Sequence, residues 1–135
     1  KSVGRLNALF RDTRAELGLS AVGEYPIIRE CGVGSGVGKA IDEVREPLAY
    51  KYESYASWGE ASGFVPADRI RGDFDQFAAS RFIIGSENEV ADQIAAYGAE
   101  TGTNHILLRV QWPGLDQKTA LRTLERLGRV VEKVK

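Results

Sequence analysis

The chain has 135 residues, 43% hydrophobic and 27% charged, the profile of a single globular domain. Eighteen basic against nineteen acidic side chains give a formal net charge of −1, which offers no electrostatic basis for a nucleic-acid or anionic-membrane partner. One Cys and one His exclude an intrachain disulfide and a local Cys/His zinc signature, and no apolar run approaches the roughly 18 residues of a membrane span.

No signal-peptide pattern opens the sequence, and a cytoplasmic location is expected. The start at Lys1, in a chain without Met, reads as trimming or proteolysis of something longer.

Val3, Leu6, Phe10, Thr13 and Leu17 recur at helical spacing, with Gly18 as the stop, so the pattern predicts an amphipathic helix from Val3 to Leu17. Tyr25 to Val33 reads as a strand with Pro26 near its start, where a missing N–H is tolerated. Cys31 lies in this apolar run and is expected to be a small buried hydrophobe.

Gly32, Gly34, Gly36 and Gly38 alternate through GVGSGVGK, but the spacing fits neither phosphate fingerprint. A P-loop needs Gly five residues before Gly38 and Ser or Thr after Lys39, where Val33 and Ala40 stand. The run reads as a strand-to-helix turn, with a phosphate on the next helix start as the functional alternative.

Val37, Ile41, Val44, Leu48, Tyr52 and Tyr55 mark a long helix, which Pro47 is expected to kink or divide. Tyr52 and Tyr55 read as core. The stretch 59–80 reads as a loop excursion: Gly59 to Gly72 has no periodicity, and Asp73 to Ala79 forms a short helix packing Phe74 and Phe77.

Arg81 to Gly85 is a short strand, and Ser86 to Glu89 is a capping box opening a helix that Gly102 ends. His105 to Trp112 is a strand, Pro113-Gly114 a turn, and Asp116 caps a last helix expected to bury Ala120, Leu124, Leu127, Val131 and Val134. Arg122, Arg126 and Arg129 on that helix read as a solvated face. The alternation of strands and helices predicts an α/β fold with parallel strands.

The segment RFIIGSENEVADQIAAYGAETGTNHILLRVQWPGLDQKTALRTLERL, Arg81 to Leu127, resembles the end of the luciferase-like monooxygenase family. The shared series is a short strand, G-S-x-x-E-V opening a helix, a strand ending in L-R-x-Q-W-P-G, and an amphipathic last helix. YPIIRE and KYESYASWG resemble the family's preceding units, so the likeness spans nearly the whole chain but only the last part of a member. G-S-x-x-E alone is capping chemistry; L-R-V-Q-W-P-G carries the specificity.

The resemblance implies the C-terminal part of a (β/α)8 barrel, incomplete here because a whole barrel needs about 250 residues. Residues 1–135 would then form one partial domain, inactive by itself. The resemblance also implies FMN or F420 as cofactor, a small organic substrate, and the rest of the barrel or a second chain as partner, with homo-oligomers expected. A non-catalytic βα module acting by dimerisation or partner association is the competing reading, since open sheet edges need covering.

Alternation in the last strand puts His105, Leu107, Arg109 and Gln111 on one face and Ile106, Leu108 and Val110 on the other. If the strand is a barrel stave, Leu107 fills the interior and Arg109 and Gln111 approach the mouth, while His105 lies at the opposite end. Arg109, Gln111 and Trp112 are the candidate cofactor contacts, and Arg29 and Glu30 the candidate substrate-pocket residues. Arg109 either pairs with a carboxylate such as Glu30 or contacts a phosphate or substrate. Arg29 and Glu30 point to opposite faces, so only one can line the interior. Trp112 either walls the pocket or packs beneath the Pro113-Gly114 turn. No catalytic residue is assigned and no metal is expected.

Overall fold

Strand and helix signals alternate along the chain, and the computed structural model, in which residues 2–58, 67–79 and 81–134 are described, turns them into a layered α/β arrangement. The elements are α1 (Ser2–Glu16), β1 (Pro26–Val33), α2 (Val37–Ser57), α3 (Ala67–Gly72), α4 (Phe74–Ala79), β2 (Ile83–Gly85), α5 (Glu87–Thr101), β3 (His105–Arg109) and α6 (Gln117–Lys133). Among the described residues all pairings are parallel, in the order β2-β1-β3.

The middle strand is shared lengthwise. Pro26 to Glu30 pair with His105 to Arg109, and Cys31 to Val33 pair with Ile83 to Gly85. The strands are parallel, as the α/β reading requires, but their order departs from an uninterrupted barrel segment. In a barrel successive strands are neighbours, which would put β2 between β1 and β3.

Local chemistry accounts for the element ends. Gly18 takes φ 66° after α1, a conformation that costs glycine little. Ser86 accepts from the Glu89 amide while Glu89 returns to the Ser86 amide, the complete capping box. Gly102 closes α5 in the left-handed region, and Asp116 caps α6 through the Thr119 amide at 3.1 Å. Pro47 does not divide α2. It stands inside one continuous helix, lacking the N–H that would reach the Glu43 carbonyl.

Three expectations change. The β3 ladder ends at Arg109 and does not reach Trp112. Part of the excursion, residues 67–72, is helical, because Ile70 is 1% exposed in the core beside Phe74; residues 59–66 and 80 lie outside the described residues. The last helix buries Ala120, Leu127 and Val130 with Thr119 and Thr123, whereas Leu124, Val131 and Val134 are exposed. Its buried arc therefore lies one step round from the predicted one.

Two apolar clusters flank the sheet. One gathers Val44, Leu48, Phe74, Phe77, Phe82, Trp112 and Leu115 from α2, α4 and the segments around β2 and β3. The other joins Cys31, Val33, Ile83, Val90, Leu127 and Val130, with Ile106, Leu108 and Val110 packed against it. The predicted face of β3 is thus the one that meets the helices. Its opposite face is open: Ile28 and Leu107, partners in register, remain exposed. Leu107 does not fill an interior among the described residues.

Candidate functional site: a buried carboxylate with four donors

Glu30 is in the second half of β1, opposite Arg109 in register. Its side chain is 6% exposed, and burying a carboxylate demands partners for both oxygens. Four donors converge on it from three other parts of the chain. Lys51 Nζ reaches Oε1 at 2.5 Å, and the Tyr52 hydroxyl and an Arg109 guanidinium nitrogen reach the same oxygen at 3.3 Å. The Trp112 indole N–H donates to Oε2 at 2.5 Å.

Each donor is there for a local reason. Lys51 lies seven residues beyond Val44 on the buried stripe of α2, so helical periodicity drives its stem into the core. Its ammonium lies 5.6 Å from the Tyr52 ring centre and 5.5 Å from that of Tyr55, where aromatic faces favour a cation. Tyr52 packs against Phe77 and Phe82, which fixes its hydroxyl toward Glu30. Arg109 ends β3, and Trp112 folds back beneath the turn at Pro113 and Gly114.

The electrostatics follow from burial. Burial first, then the Glu30 charge and hydrogen bond, push the Tyr52 phenol well above its usual range, so it keeps its proton. Both Glu30 oxygens are already engaged by donors. Two cations face one carboxylate, and the surplus charge emerges at Arg109, which is 42% exposed and pinned to Glu30 through one nitrogen. Chemically, the arrangement presents a pre-oriented guanidinium to an anionic group.

The predicted residues fall into separate places. Glu30, Arg109 and Trp112 come together, and the Arg109–Glu30 ion pair is one of the two roles expected of Arg109. Trp112 is 3% exposed with its N–H on Glu30, so it packs in the core and offers no open wall. Gln111 is exposed and donates to the Leu115 carbonyl at 3.4 Å, joining the two ends of the loop before α6. Arg29 leaves this group. It turns to the other side of β1, stacks on Tyr97 at 4.8 Å and donates to the Tyr97 hydroxyl. His105 begins β3 and meets Glu24 at 3.0 Å, far along the strand from Arg109. Cys31 is fully buried, and burial raises its thiol to about 12.

Sequence reasoning missed Lys51 and took Tyr52 only as core. A signal was present: in AYKYESYASW the lysine occupies the core-facing position among the aromatics, and a buried lysine needs a carboxylate. The turn of alternating glycines has a steric account. A Cβ on Gly34 would lie 2.7 Å from the Ala40 amide nitrogen, and Gly34 N donates to the Gly85 carbonyl at 2.9 Å.

Fold and site thus define a parallel α/β protein with an arginine held at a strand end by a buried glutamate. No family model and no curated protein matches the chain. Among solved structures, the monooxygenase RslO1 from Streptomyces bottropensis is similar with a TM-score of 0.75 at 19% identity. The alignment covers 97% of this chain and 37% of that one, so the chain spans little more than a third of the solved protein's length. At this identity the likeness concerns the fold.

Proposed function

We propose that the chain is the C-terminal part of a flavin-dependent oxidoreductase of luciferase-like type, a monooxygenase acting on a small organic substrate with FMN or F420. The observation that carries this reading is the fold likeness to a monooxygenase over 97% of the chain. The L-R-V-Q-W-P-G motif supports it, because Arg109 and Trp112, two of its residues, meet at Glu30.

The residues present fit such a cofactor at one point. Reduced FMN and F420 carry anionic groups, and Arg109 offers a half-exposed cation whose direction Glu30 fixes. When bound, the flavin ring supplies the redox chemistry. Lys51, Tyr52 and Trp112 hold Glu30, and Glu30 holds Arg109. Turnover requires further strands to enclose the open face bearing Ile28 and Leu107.

The test is titration of the longest natural form of the chain with reduced FMN and with F420, followed by absorbance and fluorescence. Saturable binding of one cofactor, weakened about tenfold in Arg109→Gln, is the expected result, since one charge-assisted contact is worth about that much. Binding of neither cofactor, or undiminished binding in Arg109→Gln, counts against the reading.

A second reading is favoured by a different observation. Ile28 is 51% and Leu107 45% exposed, side by side on the sheet. A non-catalytic module that associates through this face would cover them. A stable monomer in sedimentation velocity, with no binding of an apolar dye, would sink it.

A further inference from the structure

The three arginines Arg122, Arg126 and Arg129 read in sequence as a solvated helix face, and the structure gives them directed partners. Arg122 reaches Glu43 in the first half of α2. Arg126 donates to the Val33 carbonyl, the last of β1, at 2.6 Å. Arg129 pairs with Glu87, the first residue of α5, at 2.7 Å, and Lys133 lies 3.7 Å from the same carboxylate. Helix α6 therefore runs across the carboxyl ends of β1 and β2, from the start of α2 to the start of α5.

Beneath this crossing is a cleft of about 440 Å³ lined by Gly34, Ser35, Ser86, Glu87, Asn88, Arg126, Arg129 and Lys133. Among the lining residues three cationic side chains face one carboxylate, an excess of two positive charges, while Glu125 and Glu132 act on Arg129 from outside the lining. Glu87 already acts as the resident anion: its hydrogen bond from Arg129 holds its carboxyl below the usual range. Ser35 also lines the cleft, and its hydroxyl can donate. The carboxyl ends of parallel strands are also where α/β proteins place ligands.

We infer that this cleft binds a phosphate dianion through Arg126, Arg129 and Lys133, separately from the Glu30–Arg109 cluster. Two excess charges match a dianion, and guanidinium groups match its oxygens. The inference is independent of the flavin reading, because the probe is a simple phosphate.

The experiment is isothermal titration and ³¹P NMR on the 135-residue chain at low ionic strength, with inorganic phosphate in one arm and methyl phosphate in the other. Both should bind saturably, and the tighter of the two identifies free phosphate or an esterified phosphate as the ligand. Arg129→Gln should weaken binding about tenfold. Glu87→Gln should strengthen it by a similar factor, because it releases Arg129 and Lys133. Lys118→Gln, at the other end of α6, should leave it unchanged. Circular dichroism on each variant separates lost binding from lost folding, with Arg129→Lys as the folded, charge-preserving substitute. Absence of saturable binding by both wild type and Glu87→Gln up to about 10 mM, an affinity of under 3 kcal/mol, overturns the inference. Equal affinity in the wild type, Glu87→Gln and Arg129→Gln does so as well.

Discussion

Trp112 donates its indole N–H to Glu30 across 82 positions of sequence, tying the segment after the last strand to the middle of the first. Because Glu30 is also held by Lys51, this one carboxylate joins β1, α2 and the loop that leads to α6. Trp112→Phe keeps the ring and removes the donor, leaving Oε2 buried without its partner. The expected loss is about 1–3 kcal/mol, read as a lower urea midpoint with an unchanged m-value.

Lys51→Met is the harsher change. It removes the nearest cation from a buried carboxylate, and breaking such a pair costs about 3–5 kcal/mol. The double variant Glu30→Gln with Lys51→Met should recover part of that loss, since the one charge left at the cluster, Arg109, is half-exposed to water. A loss in the double variant equal to the sum of the losses in Lys51→Met and Glu30→Gln would show that the pair is not coupled.

The glycine turn offers an internal control. Gly34→Ala forces a methyl against the Ala40 backbone and should cost about 1–3 kcal/mol. Gly36→Ala meets open space at φ 175°, an extended backbone, and should stay within about 0.5 kcal/mol of the parent. Thermal melts of the two variants side by side provide the comparison.

Cys31 gives a pH prediction. Its thiol is raised from 9.0 to about 12 in the folded state, so folding favours the protonated form. The associated stability is complete below pH 9 and is lost as pH rises toward 12. At pH 8 a disulfide reagent should label Cys31 only at the rate of unfolding, and Cys31→Ala should flatten the alkaline decline in stability.

Glu89 acts in the opposite direction. Its bonds to the Ser86 amide and hydroxyl lower its carboxyl, so its contribution is present above the ordinary value of 4.5 and disappears as pH falls through the lowered one. Ser86→Ala should cost about 1 kcal/mol at neutral pH. Glu89→Gln should lessen the acid sensitivity of α5, measured by helix signal against pH.

Much of this was legible in the sequence wherever the signal was local. The capping box at Ser86, the left-handed Gly102, the Asp116 cap and the helix-facing parity of Ile106, Leu108 and Val110 all depend on neighbours a few residues away. Arg109 pairing with Glu30 is one of the two roles the sequence leaves open for it, because a charged side chain in a strand needs a partner. Lys51 was not legible, because its placement depends on which way α2 rolls onto the sheet. The pairing of β3 with β1 was invisible for the same reason: strand patterns report faces, and lateral order is decided by long-range packing. The exposed Leu124 and Val131 belong here too, since the rotation of α6 follows its contacts with α5 and the end of β1.

Gln93, in the middle of α5, has a part in what the sheet can become. Its amide nitrogen donates to the Ile84 carbonyl at 2.9 Å, and its oxygen accepts from the Ile84 amide at 3.3 Å. Among the described residues, a side chain thereby stands in for a neighbouring strand at Ile84. With this margin sealed from within, lateral growth of the sheet is one-sided: an incoming strand, whether from the same polypeptide or another, is directed to the border beyond β3.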